Sequence, residues 1–253
     1  MPPRCAGGDE AGKGAGGWRV GSTVMTRTLR RLVYDRLVTH PPRALVVDWY
    51  GVMTQDLNSA IGAWAQADGI SFSTWRDSMR EWFGPLGYVD ATINPVHALE
   101  RGELEVPDFE VALAERLNRG GSTVSPDGLL ARMFEHFAHA PDMVGLVRRA
   151  RDRGLATALL SNSWGDHYLR DGWDEMFDVV VISGEVGMRK PEARIFELVV
   201  RRLALPPADC VFVDDHDVNI RAAADVGLLG VHHRSYEQTA RQLEALFGVP
   251  LAR

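Results

Sequence analysis

Cysteine is scarce: Cys5 and Cys210 are the only two in 253 residues. Cys5 stands among glycines, alanines and prolines, and Cys210 opens an apolar run. The two are not expected to pair, which argues against a disulfide-stapled secreted fold and fits a reducing cytoplasm. Long hydrophobic runs are missing too. No stretch approaches the roughly 18 apolar residues of a membrane span, and no signal-type apolar segment follows the N-terminus. Blocks of a single charge are absent as well. The 28 basic and 34 acidic residues leave a net charge of −6. Short basic pairs such as Arg30-Arg31 and Arg148-Arg149 read as solvated helix faces, so nothing resembles a nucleic-acid footprint. The chain is otherwise 45% hydrophobic and 25% charged. That is ordinary for a soluble protein of one domain with a large insertion, or of two domains.

Residues 1–24 are rich in Gly, Ala and Pro and carry no apolar period, so a disordered tail is expected there. Gly7 to Lys13 matches the first seven positions of a G-x-x-x-x-G-K-[ST] phosphate loop. Gly14 fills the eighth position and no strand precedes the match, so it is read as chance. Met25 is a candidate natural start. Leu29, Leu32, Val33 and Leu37 predict a helix over 26–39, ended by Pro41-Pro42.

The stretch from Ala44 to Thr54 organises the rest of the chain. Ala44-Leu45-Val46-Val47 is a short unbroken apolar run, as in a strand buried on both faces of a parallel sheet. It ends on Asp48, and Gly51 then permits a sharp turn. Ligands of open α/β sheets bind beyond the carboxyl ends of the strands. Asp48 is therefore a candidate nucleophile or metal ligand. A helix or turn cap is the other reading, and this segment alone leaves both open.

Helical spacing dominates the next ninety or so residues: 57–67, 73–83, a short piece at 94–100, 107–117, and a start signal at Ser125-Pro126-Asp127. No strand signal interrupts them, and 56–140 is expected to be an inserted helical domain. From Pro141 the pattern alternates. Helices are predicted at 144–153, 166–177, 191–203, 217–226 and 237–247, and strands at 156–160, 179–182, 210–213 and 229–232. Alternation of this kind gives a doubly wound α/β core, here 25–55 with 141–253, around a parallel sheet.

Asp48, Ser161-Asn162 and Asp214-Asp215 directly follow strands and Lys190 precedes a helix; strand ends of a parallel sheet share one edge, so these residues are expected to converge. Three carboxylates raise one another's pKa unless a cation joins them. A hard divalent ion such as Mg²⁺ suits that donor set and also takes substrate phosphate. Phosphate bound there would meet Lys190 and the Ser161 hydroxyl, with Asp48 placed to attack phosphorus.

The motifs are Val46-Val47-Asp48-Trp49-Tyr50-Gly51-Val52, Leu159-Leu160-Ser161-Asn162, Gly187-Met188-Arg189-Lys190-Pro191 and Phe212-Val213-Asp214-Asp215, the last running on to Asn219. In this order, and with the cap stretch from Arg101 to Phe109, they resemble the haloacid dehalogenase superfamily, in the subgroup with a helical cap between its first two motifs. The resemblance implies a Rossmann-like core over 43–247 and a hydrolase acting on a small phosphorylated or otherwise anionic molecule. It implies Asp48 as covalent nucleophile and metal ligand, and the Tyr50 backbone carbonyl and Asp215 as further Mg²⁺ ligands, with Asp214 beside them. Ser161 would bond the transferring group, Asn162 would shape its loop, and Lys190 would balance charge. No nucleic-acid or membrane partner is implied.

One position departs from that pattern. The family's phosphatases carry an Asp two residues after the nucleophile as acid–base group, a role worth roughly 10²–10⁴ in rate. Here that residue is Tyr50. Three readings compete, in order of preference. The first is a Mg²⁺-dependent phosphatase or phosphotransferase whose acid–base step is altered, using Tyr50, a neighbour such as His216 or Asp217, or a good leaving group. The second is a metal-free 2-haloacid dehalogenase, whose first motif does read Asp-x-Tyr-Gly and for which Arg76 or Arg80 would hold the substrate carboxylate. The third is a non-catalytic binding protein. Trp49, Trp64, Trp75 and Trp82 are expected in the core or lining the cap, where they would favour a fairly apolar substrate. His232-His233 is read as structural.

Overall fold

In the computed structural model the described residues are 40–83 and 94–253, together with a two-residue antiparallel ladder, β1 (Arg19–Val20) with β2 (Thr23–Val24). The helix expected over 26–39 and the remainder of the expected tail lie outside the described residues.

Five parallel strands form the core: β3 (Ala44–Val47), β4 (Ala156–Ser161), β5 (Val179–Ile182), β6 (Cys210–Asp214) and β7 (Leu229–His232), in the order β5-β4-β3-β6-β7. β3 is central. Ala44 registers with Ala156 and Cys210, and Val47 with Leu159 and Val213. Both of its faces are covered, so the run has no polar alternation. Leu45 and Val47 face one side, against Met143, Leu146 and Val147 of the helix Pro141–Asp152 and Leu243 of Tyr236–Phe247. Ala44 and Val46 face the other, against Ile195, Phe196 and Val199 of Ala193–Leu203. Period-2 strands between period-3.6 helices thus give a doubly wound α/β fold.

Between β3 and β4 the helices Leu57–Ala67, Phe72–Phe83, Pro95–Glu100, Val106–Arg119 and Leu129–Phe134 build a core of their own around Trp64, Phe109, Leu113, Leu117 and Leu130. Asp56 starts the first by accepting from Ser59 N–H at 2.9 Å, and Asn94 starts the third, with Pro95 at its first position. The chain enters and leaves this helical cap side by side. Gln55 N–H donates to Ala138 and Ala140 N–H to Met53, around a Thr54–His139 bridge. Among the described residues, no helix is long and apolar enough to cross a membrane.

Three local expectations are corrected. The helix predicted over 166–177 shrinks to Trp173–Met176. Gly165 and Gly172 sit at φ +81 and +75, and the loop between them carries Tyr168 inward, which no continuous helix would do. Ser125-Pro126-Asp127 forms a turn, with Ser125 Oγ accepting from Asp127 N–H, and the helix starts later at Leu129 behind Gly128. The helix predicted from 191 starts at Ala193, and a one-turn helix, Ser183–Val186, follows β5.

Candidate active site

Because β3, β4 and β6 run in step, Asp48, Asn162 and Asp214 leave the same edge of the sheet. One oxygen each of Asp48, Asp214 and Asp215 lies within 4.8 Å of the others. Lys190 reaches in from its loop and is 1% exposed. Its Nζ lies 2.7 Å from Asp48 Oδ1 and 2.7 Å from Asp214 Oδ2, with the Phe212 ring 5.6 Å from it. The sequence reading placed these four together, and the structure brings them together.

A single buried ammonium is shared between two carboxylates, and the shares are unequal. Asp214 is fully buried, which on its own would raise its pKa. Lys190, the His216 N–H at 2.7 Å and both contacts of Asn219 Nδ2 at 3.1 Å outweigh that burial and hold it below the usual carboxylate range. Asp48 is pushed well above that range, by burial first and then by Asp214 and Asp215, although Lys190 pulls the other way. Burial also raises Asp215. For Lys190 burial works against the charge, but Asp214 and Asp48 prevail and its pKa ends raised. The cluster is short of positive charge.

Asp215 shows where that charge belongs. Its Oδ1 is buried with no hydrogen-bond partner. Gly51, at φ +81, lies so close that a Cβ there would sit 2.6 Å from Asp215 Oδ2. The backbone after the nucleophile therefore presses directly on this carboxylate. Three hard oxygen donors, one of them unpartnered, fit a hard divalent cation such as Mg²⁺.

Asp48, Tyr50, Asn162 and Lys190 line a cavity of about 650 Å³ roofed by cap residues. The Tyr50 ring stacks on Tyr168 at 5.5 Å and packs against Phe134 and Phe137 at 5.2 and 5.6 Å. Burial is the main cause that pushes its phenol well above its usual pKa. Asn162 is tied to Lys190 at both ends of its amide: Nδ2 donates to the Lys190 carbonyl at 3.1 Å, and Oδ1 accepts from its N–H at 2.8 Å. Ser161 is not brought to the cavity wall. It is fully buried, and its Oγ accepts from Tyr168 O–H at 3.0 Å. Of the tryptophans, Trp75 and Trp164 line the cavity. Trp49 packs below the sheet edge on His139 and Trp173, Trp64 is cap core, and Trp82 packs on Phe109. His232 is structural, its ring N–H donating to the Asp215 carbonyl at 2.8 Å.

A family model of haloacid dehalogenase-like hydrolases matches residues 42–227. The chain belongs to that family. Among curated relatives, the sesquiterpene phosphatase astK of Aspergillus oryzae is 31% identical over 158 residues, covering 59% of this chain and 77% of its own length. The glyceraldehyde 3-phosphate phosphatase of Methanopyrus kandleri is 32% identical over 40% of this chain and 46% of its own. Acyl-CoA dehydrogenase family member 10 of Mus musculus is 37% identical, but the match spans only 11% of that longer protein. Among solved structures, a HAD-family enzyme of Bacteroides thetaiotaomicron, in complex with magnesium and inorganic phosphate, superposes with TM-score 0.58 at 19% identity. That match covers 76% of this chain and 94% of that one. A dehalogenase captured as an intermediate complex also gives 0.58, at 20% identity over 84% and 99%. Both share the fold of this hydrolase.

Asn219, Tyr168 and the pair Glu100–Arg189 shape the candidate site; sequence reasoning quoted Asn219 and Arg189 within motifs without a role, and did not single out Tyr168 or Glu100. Asn219 had a usable signal: five residues beyond Asp214, it lies in the first turn of the following helix. Tyr168 and Glu100 had none, because their partners are set by loop geometry.

Proposed function

We propose that this hydrolase cleaves phosphate monoesters through an aspartyl phosphate on Asp48, with the three-carboxylate cluster and its unpartnered Asp215 oxygen as the observation that carries the reading. Asp48, Asp215 and the Tyr50 backbone carbonyl would hold Mg²⁺, with Asp214 beside them. The ion supplies charge neutralisation on the phosphoryl oxygens and on the crowded carboxylates. The phosphatases among the relatives and the magnesium-and-phosphate complex of the fold neighbour support this direction.

Asp48 Oδ1 is held by Lys190 and by the Trp49 N–H, each at 2.7 Å, so Oδ2 is the freer oxygen for attack on phosphorus. Attack forms the Asp48–phosphorus bond and breaks the bond from phosphorus to the ester oxygen, which departs with its electron pair. Water then cleaves the acyl phosphate, releasing inorganic phosphate and restoring Asp48. Lys190 balances charge on the carboxylate throughout. The Ser161–Tyr168 pair holds the second motif in place, and closure of the cap 56–140 excludes bulk water.

Tyr50 sets the weak point of this scheme. Packed among rings and held protonated, it neither serves as base nor readily gives its proton. Leaving groups that depart as anions are therefore favoured. Aryl phosphates should exceed alkyl phosphates in kcat by at least ~10², the scale of a missing general acid. Tyr50→Asp should narrow that gap, and an equal rate on both classes in the unaltered enzyme would contradict this step.

The same Tyr50 favours a second reading, hydrolytic dehalogenation, because a halide leaves without a proton. Asp214 and Asp215 would then face an anionic substrate with no cation between them, and Arg76 and Arg80, both at the cavity mouth, already turn to Asp77. Halide release from 2-haloacids in EDTA would favour this second reading over the first.

A further inference from the structure

The cavity over Asp48 has one polar end and an apolar body. Leu57, Ile61, Trp75, Met79, Met133 and Phe134 form its apolar stretch, away from Asp48, Asn162 and Lys190. A volume of about 650 Å³ takes a drug-sized body, far more than a bare phosphate.

The buried polar groups of this wall are mostly engaged with one another, and the freer ones lie at its mouth or beside the nucleophile. Glu100 Oε2 takes Arg189 Nε at 2.5 Å, and its Oε1 accepts from the Trp164 indole at 3.4 Å. The Asn162 amide is consumed by the Lys190 backbone. Arg80 and Arg76 lie 3.0 and 3.7 Å from Asp77 and are more than half exposed at the mouth. His216 is 66% exposed and stands beside Asp215 at the reactive end. Along the buried part of this wall a polar body, such as a sugar, would give up its water for few partners. An apolar body would lose only unfavourable hydration.

From this we infer that the substrate is a phosphate monoester of an uncharged, hydrocarbon-like alcohol or phenol, its phosphate at Asp48 and Lys190 and its body along the cap wall. The inference rests on the phosphatase reading and names the substrate class of that same site.

A series of 4-alkylphenyl phosphates, from methyl to octyl, tests it, because the phenol leaving group stays constant while the body grows. Two quantities are measured with Mg²⁺ present: binding to Asp48→Asn by calorimetry, and kcat/KM of the unaltered enzyme. Both should rise about three- to fourfold per methylene, the burial of one CH₂, and level off when the cavity is full. Met79→Asp should flatten the slope. Ile61→Asn reads the same wall if that variant fails to fold. A flat series, or glucose phosphate binding more tightly than the octyl member, overturns the inference. Turnover of p-nitrophenyl phosphate reports separately on the phosphatase reading. The binding slope in Asp48→Asn decides the substrate class whether or not turnover is seen.

Discussion

At residue scale the site depends on backbone as much as on side chains. Gly51 has no room for a Cβ beside Asp215 and holds a left-handed φ of +81. Gly51→Ala should displace that carboxylate, lowering kcat/KM by about 10² and raising the Mg²⁺ concentration for half-activation; an unchanged metal response would refute this. The carboxylates were legible because their motifs put them at strand ends, where parallel topology forces convergence, whereas Lys190 stands in a loop before a helix. Ser161 was legible as a motif but not in its orientation. The buried Tyr168 hydroxyl that claims it comes from a loop read as helix. The burial of Tyr50 was likewise hidden, since Phe134 and Phe137 approach it from the inserted helices.

At element scale the cap is joined to the core by buried charge as well as by its two paired connections. Glu100, ending the third cap helix, meets Arg189 of the Lys190 loop at 2.5 Å, with the side chains 6% and 12% exposed. Next to them Arg101 bonds Glu192 at 3.1 Å. Glu100→Ala leaves Arg189 buried without its partner and should cost about 3 kcal/mol, roughly 10 °C in Tm; a loss under 1 kcal/mol in chemical denaturation would show that the pair is not structural. His97, buried on the same helix, is lowered to about 4 by burial and by Arg189 and Arg101. The unfolded chain therefore takes up that proton first. Stability should be complete above pH ~6.5 and fall by up to about 3 kcal/mol as pH drops toward 4. His97→Gln should remove that slope. None of these pairings could be read from periodicity, which finds helices but not the partners of their ends. The strands were found because each is a short, largely apolar run between turn signals. The helix over 166–177 was drawn too long because apolar spacing persists there across the left-handed Gly172.

At the scale of the whole molecule, a five-stranded parallel sheet holds the charge cluster rigidly and a helical insertion supplies the apolar roof. Family and fold were readable from four short motifs in order, and the family match over 42–227 bears that out. Helical spacing without strand signals pointed to the helical insertion, and helices do fill the described chain between β3 and β4. The substrate was not, because the cap wall is assembled from residues far apart in sequence whose common property emerges only when they face one cavity. The central claim is metal-dependent phosphoryl transfer to Asp48. Its most direct measurement is hydrolysis of p-nitrophenyl phosphate by the unaltered chain and by Asp48→Asn, each with Mg²⁺ and with EDTA. The account predicts turnover only in the unaltered chain with Mg²⁺, recovered when the metal is restored. Turnover that persists in EDTA or in Asp48→Asn, or no turnover under any condition, would contradict it.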